Sequence, residues 1–201
     1  VELVVGVSFV LAFLATGFRL VRLRSPQVWV LGSATPIPIT QNLTPFYFLL
    51  RDWFFIAILV VIFVYDLKYY LIPDKIVLPA AGLALVVNLA LGYPITKLVL
   101  SAVVVSGFFL LQYLVSKGKW IGFGDVKFGL LMGFLLSWPY VLIALFLAYI
   151  IGAVVSTILL LTKKKEFKSE VPFGPFLALA TVITLLYGAD ILNWYSGIIY
   201  K

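Results

Sequence analysis

Residues 128–162 read FGLLMGFLLSWPYVLIALFLAYIIGAVVSTILLLT, without one charged side chain. A single helix over this stretch, at about 1.5 Å per residue, would be about 52 Å long, against a hydrocarbon core of about 30 Å. Two crossings are therefore present. The triplet Ser137-Trp138-Pro139 divides them, because proline lacks an N–H and obstructs a continuing helix. This predicts helices over 122–136 and 140–161. Working outward, the same length test predicts helices over 53–65 (extendable toward Tyr70), 76–92, 98–115 and from Pro172 or Pro175 to 187. One more is expected over 1–18, stopping at Arg19, Arg22 and Arg24. The tail Asn193-Trp194-Tyr195 suits a membrane interface. The expected fold class is all-α, a polytopic helical membrane protein with about six or seven transmembrane helices.

Composition agrees. Of the 201 residues 64% are hydrophobic and 11% charged, and mean hydropathy is +1.16. An ordinary soluble domain is about half apolar and about a quarter charged. Soluble-enzyme, nucleic-acid-binding and disordered readings fall on that comparison. Neither cysteine nor histidine occurs, which removes thiolate nucleophiles, Ser-His-Asp triads and Cys/His zinc sites. No metal and no cofactor is expected. Any chemistry must use Asp, Glu, Lys, Ser, Thr or Tyr.

Basic residues orient such a protein, since Lys and Arg concentrate in cytoplasmic loops. We place the loop after Asp66, with Lys68 and Lys75, inside and thread alternately. Residues 93–97 then fall outside, Lys117, Lys119 and Lys127 inside, and 137–139 outside. Lys163, Lys164, Lys165 and Lys168 fall inside. Of the lysines past Asp66, Lys97 and Lys201 alone lie on the outer side. Asp66 and Asp125 come to the same face. The N-terminal quarter does not close: one crossing is owed between Ser25 and Leu50, where Pro26, Pro36, Pro38 and Pro45 make a poor spanning helix. We divide the chain into 1–52, an N-terminal helix with a short irregular segment, and 53–201, a membrane domain.

Eight acidic residues are few enough to take singly. Glu2, Asp52, Glu166, Glu170 and Asp190 read as solvated or interfacial charges. Asp66 and Asp125 adjoin long apolar helices, where ionisable groups are costly and mark function. The plainer reading makes each a helix-end charge neutralised by Lys68 or Lys127. Two Asp in one site cannot both ionise, so one is held protonated while the other draws a proton from an attacking water. That chemistry needs neither metal nor covalent intermediate. Gly122 and Gly124, without Cβ atoms, let the chain bend and a substrate backbone approach.

Three blocks carry a resemblance. Asp66-Leu67-Lys68-Tyr69-Tyr70-Leu71-Ile72-Pro73-Asp74, Gly122-Phe123-Gly124-Asp125-Val126-Lys127 and Val171-Pro172-Phe173-Gly174-Pro175-Phe176-Leu177-Ala178 occur in that order. Together they resemble the type IV prepilin peptidases, which are G-x-G-D intramembrane aspartyl proteases. The resemblance implies that Asp66 and Asp125 are the catalytic pair, supported by Pro73, Gly122, Gly124, Lys127, Pro172 and Gly174. It further implies 53–201 as the aspartyl-peptidase domain, a prepilin or pseudopilin substrate cut at the cytoplasmic face, and residence in the cell inner membrane among its lipids. Lys127 either tunes the pair or anchors its helix in the headgroups. The 172–175 turn either lines the cleft or simply starts a helix. Asp74 is expected to cap the helix beginning near Lys75.

Larger members of that family carry a cytoplasmic part with paired C-x-x-C zinc ligands, associated with N-methylation of the product. The cysteines are absent here, so cleavage without methylation is expected. Two other readings compete. A Ser/Lys protease would use Ser116 with Lys117 or Ser169 with Lys168, but adjacent helical side chains point apart. A proton-coupled transporter or channel would use the two Asp as a relay, yet no internal repeat supports it.

Overall fold

The computed structural model describes residues 44–162 and 172–199. The expected helix over 1–18, the owed crossing and the lysines of 163–168 lie outside them. Six helices follow in order: α1 Thr44–Tyr69, α2 Asp74–Ala90, α3 Ile95–Ser116, α4 Phe123–Leu136, α5 Tyr140–Leu161 and α6 Gly174–Ile199. No strand occurs among the described residues. The protein is an all-α, polytopic helical membrane protein. Two compact units divide it, Val1–Ala57 and Ile58–Lys201, and the packing described below belongs wholly to the second.

Breaks fall where backbone chemistry demands them. At 137–139 Ser137 adopts φ 61°, ψ 172° and Pro139 follows, so α4 ends at Leu136 and α5 starts at Tyr140. Between α1 and α2, Tyr70 turns into the left-handed region (φ 54°) and its N–H closes on the Asp66 carbonyl at 2.8 Å. This single-residue stop resembles the left-handed caps usually made by glycine. Lys117 and Gly118, at φ 53° and 75°, end α3 in the same way. Ser116 accepts the Trp120 N–H at 3.3 Å in that turn, which gives its hydroxyl a structural use. The Ser169–Lys168 pair lies outside the described residues.

Helix α1 begins at Thr44, earlier than the expected 53. Arg51 and Asp52 pair with each other at 2.6 Å, so these charges sit within the helix rather than ending it. Likewise α6 runs past the expected 187 and carries Asn193, Trp194 and Tyr195 as exposed helical residues. Four helices have stretches long and apolar enough to cross a membrane: Tyr47–Tyr69, Ile95–Ser116, Tyr140–Leu159 and Gly174–Ile198. The others have 17 and 14 residues, or about 25 and 21 Å. Outward-facing side chains such as Val103, Leu111, Phe146 and Val154 are apolar, as a lipid-facing surface requires.

The short α4 is central, with nine of its fourteen residues buried, and it packs on α2, α3, α5 and α6. Lipid tails are as apolar as leucine, so helices in a bilayer associate through close packing and small residues. Gly129 and Gly133 of α4 face Ala102 and Ser106 of α3. A Cβ at Gly129 would stand 3.0 Å from the Ser106 Cα, and one at Gly133 would run into the Ala102 backbone. The Ser106 hydroxyl donates to the Val126 carbonyl at 2.9 Å. At the far end Asn88 of α2 donates to the carbonyls of Phe134 and Leu135 at 2.6 and 3.0 Å.

Gly133→Val is expected to destabilise the fold by about 3 kcal/mol or more, because overpacking against backbone has no flexible neighbour to yield. Gly107 has nothing within 4 Å of an added Cβ. Gly107→Ala should therefore stay within about 0.5 kcal/mol of the parent, or rise through helix propensity. Reversible unfolding in detergent micelles measures both.

Candidate active site

Asp66 occupies the last turn of α1 and Asp125 the first turn of α4. Both are buried, at 4% and 6% exposure, and they lie close enough to interact electrostatically. A carboxylate out of water needs hydrogen-bond donors, and each has a donor at a helix N-terminus. Asp125 is the third residue of α4 and reaches back to the Gly122 N–H at 3.0 Å. This capping arrangement accounts for the spacing of G-x-G-D. Asp66 lies at the negative end of its own helix dipole, an unfavourable place for an anion. It is met there by the first N–H of α6, from Gly174.

The sequence around Gly174 makes that donor available. Pro175 has no N–H, and the N–H groups of Phe176 and Leu177 close back on the Phe173 carbonyl at 3.0 and 3.2 Å. The Gly174 N–H is thus the one α6 points at Asp66. A Cβ on Gly174 would collide with the Asp66 carboxylate, so close approach requires glycine here. Phe173 stands in an aromatic cluster, its ring 5.0 Å from Tyr149 of α5 and 6.3 Å from Phe109 of α3. The Tyr149 hydroxyl exchanges hydrogen bonds with Gln112 at 2.8 and 3.1 Å and lies within electrostatic reach of Asp125.

The supporting residues separate into distinct roles. Pro73 precedes α2 at φ −74°, ψ 111°, and no side chain caps that helix. Asp74 is not a cap, contrary to expectation: its carboxylate pairs with Lys127, which also lies 5.0 Å over the Phe123 ring. Lys127 therefore ties the start of α2 to α4. Pro172 lies just ahead of α6. The two G-x-G-D glycines are not equivalent. A Cβ at Gly122 would meet ordinary contacts at 3.6 Å, whereas one at Gly124 would stand 2.9 Å from the Ile72 Cβ. Ile72, 7% exposed, belongs to the site but was not among the expected residues; two glycines far away in sequence define its place. Among the described residues no group of three His, Cys, Asp or Glu side chains is arranged to hold a metal ion.

The family model for the type IV leader peptidase family matches residues 53–157, just over half of the chain. The chain is 32% identical over 182 residues to the prepilin leader peptidase/N-methyltransferase of Aeromonas salmonicida, covering 88% of this chain and 62% of that protein. It is 29% identical over 177 residues to the protein of that name from Legionella pneumophila, with 80% and 62% covered. For the Pseudomonas putida protein the identity is 35% over 133 residues, with 63% and 46% covered. The chain thus spans about six-tenths or less of the length of these curated relatives. No solved structure matches it.

Gly122→Ser, where an added Cβ meets only ordinary contacts and a good N-cap residue is introduced, should leave unfolding stability within about 0.5 kcal/mol. Gly124→Ala should lower it by about 1–2 kcal/mol, the overpacking cost partly offset by helix propensity. Parallel unfolding curves decide whether the crowding is confined to the second glycine.

Proposed function

The chain belongs to the type IV leader peptidase family, and from that premise we propose that it is an aspartic endopeptidase of the cytoplasmic membrane. Its membrane domain, 53–201, removes the basic leader of a prepilin or pseudopilin at the cytoplasmic face. The observation that carries this reading is two buried carboxylates, each held by a helix N-terminus and each within the other's field.

One carboxyl carries a proton and the other is ionised, since like charges in a shared low-dielectric site resist double ionisation. The ionised group takes a proton from water as the water oxygen attacks the scissile carbonyl. The protonated group donates to the carbonyl oxygen, so the charge developing there is neutralised. Collapse of the tetrahedral intermediate then passes a proton to the leaving amine. The helix N-termini hold the carboxyl groups in place throughout, sparing reorganisation at the moment of reaction. Lysines 68, 75, 117, 119 and 127 cluster toward this end of the bundle, as a cytoplasmic face requires. Threading α1 to α6 alternately places this end inside and makes the protein multi-pass.

Two outcomes follow. Asp66→Asn and Asp125→Asn each keep shape and insertion but remove the exchangeable proton. Each should lower leader removal from a reconstituted prepilin to background, a loss of at least about 10²-fold. Cleavage retained by either variant would exclude the pair. Methyl transfer gives the second outcome. The relatives are named for both activities, but these 201 residues contain no Cys or His from which a thiolate-held zinc module could form. Purified protein, prepilin and labelled S-adenosylmethionine should yield cleaved, unlabelled pilin. Label on the new N-terminus would show that methylation does not need the zinc module.

A further inference from the structure

Ile72 stands in the irregular link between α1 and α2, with its backbone in neither helix. Its side chain is nonetheless buried, and it touches both helix starts that hold the carboxylates. Its Cβ lies 2.9 Å, and its Cγ1 3.4 Å, from where a Cβ on Gly124 would be. Its Cδ1 lies 3.1 Å from where a Cβ on Gly174 would be. Gly124 immediately precedes Asp125, and Gly174 supplies the N–H to Asp66. The same side chain therefore abuts the backbone beside one carboxylate and the backbone donor of the other.

We propose that Ile72 is a positioning residue, a spacer of fixed length that sets the separation of the α4 and α6 starts and so the mutual placement of Asp66 and Asp125. The proposal rests on reading those two residues as the working pair. Isoleucine suits the task because branching at Cβ restricts χ1, which fixes the direction in which Cγ1 and Cδ1 extend. Both facing residues are glycines, so the spacer bears on backbone, which yields less than a side chain would. An apolar residue that merely fills volume is replaceable by leucine at little cost. A spacer is not, because leucine branches at Cγ instead of Cβ and so puts a second δ carbon where isoleucine has one, the isoleucine Cδ1 facing both Gly124 and Gly174. Misplacing reacting groups by about 1 Å costs on the order of 10²-fold in rate, so loss of the spacer appears in turnover rather than in substrate binding.

Two measurements test this. In reconstituted cleavage, Ile72→Ala is expected to lower kcat by about 10²-fold and Ile72→Leu by about 10-fold or more, with KM within about twofold. Ile72→Val, which keeps Cβ branching but lacks the Cδ1 that reaches Gly174, should fall between isoleucine and alanine, about 10-fold below the parent. Equal losses across the three, or losses that follow the folded fraction, would overturn the spacer. The second measurement needs no activity. The sequence has no cysteine, so Leu67→Cys with Phe123→Cys introduces the only thiols, at exposed positions one residue from Asp66 and two from Asp125. Pulsed electron resonance between spin labels there should give one narrow distance with Ile72 and a broadened or displaced one with Ile72→Ala. An unchanged distribution overturns the spacer whatever the enzyme does. A changed distribution in a protein that cuts no prepilin keeps the spacer and removes the peptidase reading instead.

Discussion

A carboxylate withdrawn from water must be supplied with donors, and the second unit of this protein meets that constraint twice within one site. In both cases the donor is a backbone N–H that a helix cannot satisfy internally. Asp125 uses the start of its own helix; Asp66, stranded at the end of α1, borrows the start of α6. The interruptions of the bundle follow from this need. The stop at Tyr70, the turn through 117–122 and the start of α6 at Gly174 all deliver helix ends to one place. Continuous helices would have kept their N–H groups to themselves.

Holding those ends together falls to α4. Apolar surface provides little drive for association between helices in lipid, so contact must come from backbone proximity and a few polar links. Gly129 and Gly133 permit the first against α3. Ser106 and Asn88, each donating to a carbonyl of α4, provide the second. The Lys127–Asp74 pair and the Gln112–Tyr149 exchange add ties from α4 to α2 and from α3 to α5. These links are polar but engaged, which is how side chains of their kind are accommodated in such a bundle.

Much of this was legible in the sequence, for local reasons. Proline and charge are local signals, so α5 falls on its expected residues and α4 ends where Ser137-Trp138-Pro139 predicts. Counting lysines against an alternating thread is nearly local too, and it puts Asp66 and Asp125 at the same face. The misjudged boundaries have a common cause. Arg51 and Asp52 look like a helix end as separate charges, but as a mutual pair they ride inside α1. Asp74 looks like a cap until Lys127, fifty-three residues later, is seen to claim its carboxylate. Ile72 was hidden for the same reason at greater remove, since its partners are two glycines on different helices. Those contacts exist only after the chain has folded.

The unequal lengths of neighbouring helices have a consequence for hydration. Helix α5 passes the aromatic cluster at Gly152, which faces Phe173 and Phe176, and continues to Leu161, about 13 Å further along its axis. Neither α4 nor α6 rises with it, since their first residues are Phe123 and Gly174. The part of α5 beyond Gly152 exposes Val154, Ile158 and Leu161, so lipid-compatible surface continues past the start of α6. Ionisable groups at membrane depth are in general relieved of part of their cost by local thinning of the bilayer and by water drawn toward them. The thickness of the surrounding membrane, and with it lipid chain length, is then a physical variable of the site.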